Sequence, residues 1–194
     1  IAKVYQDSIV KAREDSVVKA RQDSIARRTR VTPDMVFLNV HGPVKKVKDE
    51  EEKTWEFTPE GKLKTTPSGY YRNSKGYVVK KATPYDEWTY EYNGNMQLTQ
   101  MSYTNTESGG EYGFEGNFSY NKQGFIDSFI AKGWSEANVV FETTRYNYTH
   151  VDKYGNWTSR SRNWTTKEVG PDVEGGSDIY SESSTDHRTI TYYE

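Results

Sequence analysis

The sequence predicts an all-β fold, an antiparallel meander forming a curled single sheet or open barrel of about ten strands, preceded by an N-terminal α-helix. Three observations predict it. Leu, Ile, Val and Phe together number only 33 in 194 residues, whereas there are 16 Tyr, 7 Phe and 5 Trp. Rings must therefore supply most of the buried area, and tyrosine hydroxyls need water or partners close by, which suits thin layers. Segments of alternating polarity recur between short polar turns, as in "WTYEYNGNMQLTQMSY", where Trp88, Tyr90 and Tyr92 alternate with Thr89 and Glu91. Finally, stretches such as "NWTSRSRNW" and "SESSTDHRTITYY" are semi-polar on both faces. They do not suit the core of a sandwich but do suit a sheet with one aromatic inner face.

Residues 1–34 read as a charged helical arm and 35–194 as the β domain. The arm repeats an octad, "DSIVKAREDSVVKARQDSIARR". Asp7, Asp15 and Asp23 each precede Lys11, Lys19 or Arg27 by four residues, the acid-before-base order that supports a helix. Eight residues turn a helix through about 800°, so Ile9, Val17 and Ile25 step around the cylinder and form no coiled-coil seam. A solvated helix is expected from about Tyr5 to Arg28, ended before Pro33. The first 30 residues hold 8 basic and 4 acidic side chains, so the arm is basic and the rest of the −2 chain acidic.

After the arm, Met35, Val36, Phe37 and Leu38 are the apolar residues placed to begin a cover for the concave face. "KDEEEK" reads as a solvated hairpin loop. Five hairpins follow from turns marked by Gly61, Gly76, Gly94, Gly124 and Gly155, with Asn93-Gly94 the strongest signal. The intervals of 15, 18, 30 and 31 residues make the repeat degenerate. "KEVGPDVEGGSDIYSESS" reads as a flexible loop between the last two strands.

The chemistry of catalysis finds little support. There is no Cys, so thiolate metal sites and cysteine nucleophiles are excluded. The segments "NVHGPV", "YNYTHVDKYGNW" and "STDHRT" carry the three histidines, His41, His150 and His187, and each reads as structural. A His150–Asp152 pair lacks a nucleophile. Asp172, Glu174 and Asp178 surround two glycines but miss the spacing of a calcium loop. Asn117, Asn147, Asn156 and Asn163 match N-glycosylation triplets, which turn chemistry explains as well. No catalytic residue, metal or cofactor is expected, and the acidic body argues against nucleic acid. Ligand binding has one candidate, the strand "WTSRSRNW" and its neighbour: Tyr146, Tyr148, His150, Trp157, Arg160, Arg162 and Trp164. Alternation places Trp157 on a face with Asn163, and Arg160, Arg162 and Trp164 on the other. This set reads either as a platform for a glycan or as an ordinary cross-strand ladder.

Two resemblances add to this. Asp-Ser-aliphatic in the octads resembles the acceptor of an O-glycosylation system acting on exported proteins of some Gram-negative bacteria, which implies Ser8, Ser16 and Ser24 as sugar-bearing residues. A salt-bridged helical spacer is the other reading. "YEYNGNMQL", "FSYNKQGFI" and "YNYTHVDKYGNWTSR" resemble the YD-repeat style of Rhs-type surface proteins. "VHGPVKKVK", "FTPEGKL" and "DKYGNWTSR" are similar to a family of uncharacterised small exported proteins and lipoproteins. Tyr-Asp itself occurs only at Tyr85-Asp86, Asn replacing Asp in the turns. The resemblance implies an exported β-sheet protein of the periplasm or outer cell surface. A leader and a lipid anchor before Ile1 are expected, and no window in the chain is apolar enough to span a membrane. The expected role is non-catalytic, binding or structural, with a glycan or envelope protein as partner. The alternatives are a carbohydrate-binding module on the aromatic and Arg strand face, or an open-barrel carrier of an apolar ligand.

Overall fold

The computed structural model describes residues 31–49, 51–105, 107, 112–135, 138–171 and 173–193, with Lys11, 13–19 and Gln22 of the arm. Those arm residues are helical and exposed, Ser16 among them; Ser8 and Ser24 lie outside the described residues. A five-residue helix, α1 (Pro33–Phe37), precedes eleven strands. They are β1 (Val44–Asp49), β2 (Thr54–Glu56), β3 (Tyr70–Arg72), β4 (Val78–Ala82), β5 (Asp86–Tyr92), β6 (Leu98–Asn105), β7 (Tyr112–Tyr120), β8 (Ile126–Ser135), β9 (Asn138–Val151), β10 (Trp157–Val169) and β11 (Ser177–Tyr192). All belong to one antiparallel sheet in the order β2-β1-β11-β10-β9-β8-β7-β6-β5-β4-β3. From β3 to β11 it is a pure meander, and β1 then adds to the far side of β11. Strands β2 and β3 are consecutive in sequence yet form the two free edges, so the sheet is not closed.

One turn recurs. Asn73, Asn121 and Asp152 each accept, through Oδ1, the backbone N–H groups two and four residues on. Gly76, Gly124 and Gly155 then take positive φ. This is a three-residue connection whose αL position favours Gly. Asn93 makes the same two bonds, but the positive φ falls on Met96 (64°). The expected Asn93-Gly94 two-residue turn is thus replaced by the longer turn of its neighbours. The expected loop after β10 is also shorter: β10 runs to Val169 and β11 begins at Ser177, so most of "KEVGPDVEGGSDIYSESS" is strand.

α1 shows how the sheet curls. Thr32 caps it through Oγ1 to the Met35 N–H, and Pro33 occupies a first-turn position, where its missing N–H costs nothing. Phe37 meets Tyr70 of β3 and Tyr90 of β5 edge-on, at 5.9 and 5.4 Å. The two carbonyls after α1, of Leu38 and Asn39, are held by Arg188 of β11. Strands far apart in the sheet order therefore meet around one helix. Met35, Val40, Val44, Val47 and Phe57 form the core here, none more than 3% exposed. Asp34 fastens the plug: it pairs with Arg72 at 2.5 Å and accepts the Leu63 N–H. Asn156, fully buried, pairs with both backbone groups of His41.

Candidate functional site on the inner face

Register carries the aromatic ladder across the concave surface. Trp88 lies opposite Tyr103, and Tyr103 opposite Phe114. Phe118 lies opposite Phe129, Phe129 opposite Thr144, and Thr144 opposite Trp164. Gly116 is needed in this row, because a Cβ there would come within 2.3 Å of the Phe129 ring. On the next rungs Tyr146 faces Arg162 and Tyr148 faces Arg160, which in turn faces Asp186 of β11.

Six of the seven residues expected at the site are therefore brought together. Tyr146, Tyr148, Arg160, Arg162 and Trp164 share the inner face as alternation requires. Trp157 does so against expectation. The β9–β10 ladder is irregular between Trp157 and Arg160, and this shift turns the indole to the arginine side instead of the Asn163 side. The Arg160 guanidinium lies 4.3 Å from the Tyr146 ring and 4.3 Å from the Trp157 ring. Arg188 sits 3.9 Å from the same indole, so Trp157 contacts two cations. His150 is the exception: it is exposed and lines neither of the cavities described below.

Asp186, buried, is the nearest anion. It accepts from Arg160 Nε at 2.8 Å, while Arg162 Nε stands 3.8 Å away and donates to Ser184. Arg188 has three carbonyl partners, of Trp157, Leu38 and Asn39, and among the described residues no carboxylate within salt-bridge distance. Burial, then repulsion from Arg160, lowers its pKa to about 9. Burial raises the pKa of Tyr146 and Tyr148, and the latter donates to the Ile126 carbonyl. The Trp157 Nε1–H is buried and has no acceptor among the described residues.

Two hollows open along this face. One, of about 340 Å³, lies beside α1 between Phe37, Trp55, Trp157 and the arginines. The other, of about 310 Å³, is floored by Met101, Phe118, Phe129 and Trp164. Arg162 lines both. Their sizes fall at the lower end of small-molecule sites, about 300–1,000 Å³. Asp186, Arg188, Met101, Phe118 and Phe129 escaped the sequence reading. The alternation Asp186, Arg188, Ile190, Tyr192 was the available signal for the β11 pair. Among the described residues no three His, Cys, Asp or Glu side chains converge as metal ligands, and no helix is long and apolar enough to cross a membrane. No protein family and no curated protein matches the chain.

Proposed function

We propose that the protein is a non-catalytic binding protein that carries an apolar ligand inside the curl of its sheet. The observation that carries this reading is the hollow over Met101, Phe118, Phe129 and Trp164, an aromatic floor that reaches solvent in the middle of an otherwise single-layered sheet. A glycan module would display its rings on the convex surface or rim. Here Trp157 is only 8% exposed and Tyr146 stacks on Arg160, both facing inward. Export to the cell envelope belongs to the same proposal, supported by the Asp-Ser-aliphatic triplets and by the exposure of Ser16 on its helix.

Titration with N-phenyl-1-naphthylamine, an uncharged probe that fluoresces in apolar surroundings, tests the binding reading. A saturable rise at about one probe per chain is expected for a site of this size. A linear, unsaturable signal would refute it. Intact mass of the protein from its native source tests the arm, where hexose-sized additions lost on Asp15→Ala are the expected result.

A further inference from the structure

We propose that the ligand is an anionic amphiphile, its carboxylate taken by the Arg162 guanidinium and its apolar body laid over Met101, Phe118 and Phe129. This rests on the carrier reading above and names the chemistry of its cargo. The inner face gathers arginines around a single buried carboxylate. Three guanidiniums, of Arg160, Arg162 and Arg188, converge on a region whose buried carboxylate, Asp186, is already engaged by Arg160. Arg188 is spent on backbone carbonyls, and the buried Trp157 Nε1–H has no acceptor among the described residues.

Arg162 is the member with donors to spare. Its Nε is directed to Ser184, at a long 3.3 Å, and stands 3.8 Å from Asp186 Oδ1, while its two terminal amines form no hydrogen bond among the described residues. Its side chain is 40% exposed, against 17% for Arg160. A planar fork with both amines open is the geometry that grips a carboxylate in two parallel bonds. The other acids near the hollows are committed. Glu51 pairs with Lys53 and feels Arg162 only as a weaker, more distant charge, Asp49 accepts the Lys53 N–H, and Glu142 accepts from Thr144. The apolar floor starts beside the fork, since Trp164 lies 5.0 Å from the Arg162 guanidinium and lines the same hollow as Phe118 and Phe129.

Calorimetric titration of the full chain with decanoate and with decan-1-ol separates headgroup from body. Decanoate is expected to bind about tenfold or more tightly than the alcohol, as a charge-assisted bidentate pair adds to apolar contact. Arg162→Gln should bring decanoate to the level of the alcohol and leave the alcohol unchanged. Arg162→Lys, which keeps charge but loses the fork, should fall between. Met101→Trp, filling the floor, should weaken both probes. Equal affinities for the two probes, or an Arg162→Gln variant that binds decanoate like the parent, would overturn the anion inference and leave the carrier reading standing. Loss of both probes in Arg162→Gln would overturn it too. Full affinity in Met101→Trp would overturn the placement of the body. Failure of the parent protein to bind either probe would overturn both inference and carrier reading.

Discussion

The two ends of the inner face are made from the same kinds of residue and end differently. Beside α1, Met35, Val40, Val44, Val47 and Phe57 are sealed, because a helix, a strand and a small hairpin close over them. Along β6–β10 no element among the described residues covers Met101, Phe118 and Trp164 in the same way, and they are partly exposed. What separates the regions is the cover, and the cover comes from the segment between Thr32 and Leu63. The sealed end therefore holds the stability, and the uncovered stretch keeps apolar surface and arginine donors free for something else.

Four substitutions or conditions break or sharpen that contrast. The largest effect belongs to the sealed end: Phe57→Ala should cost about 3–5 kcal/mol, as transfer loss and cavity add, read as a shifted urea midpoint. Next, Asp34→Asn removes one partner of a pair whose side chains are 10% and 25% exposed, and should cost about 3 kcal/mol. Adding Arg72→Met should recover part of that loss, since the stranded cation goes with it.

Alkaline pH acts on both regions. Burial, aided by Tyr70, raises the Tyr90 pKa to about 12, and burial raises that of Tyr120 to about 12 as well. In the unfolded chain tyrosine ionises near about pH 10. Between roughly pH 10 and 12 the folded state holds protons that the unfolded state has released, so stability should fall as pH rises through that window. A urea midpoint unchanged from pH 9 to 11.5 would contradict this. The smallest effect on stability is expected from Trp164→Ala, within about 1 kcal/mol, yet it should weaken N-phenyl-1-naphthylamine binding where Phe57→Ala, at temperatures where that variant is folded, should not.

Local grammar explains what was legible in the sequence. Alternation and Asn-x-x-Gly turns act over four to ten residues, so the meander, the hairpins and the shared face of Tyr146, Tyr148, Arg160, Arg162 and Trp164 could be read directly. Met96 took the αL position expected for a glycine because Asn93 fixes the turn through its side chain. Trp157 was misplaced because two register shifts between it and Arg160 reverse alternation and leave no mark in composition. His150 was included because it alternates with Tyr146 and Tyr148 on the paired strand, although at that end of β9 it stays in solvent. Asp186 and Arg188 were missed because their environment is made by contacts across 26 to 150 residues, which no local pattern encodes.

Hydrogen–deuterium exchange with and without saturating N-phenyl-1-naphthylamine tests the division of labour most directly. Added protection confined to the strands between Leu98 and Val169, with α1, β1 and β2 unchanged, is the predicted result. Protection gained chiefly at α1, β1 and β2, or evenly across the sheet, would contradict it.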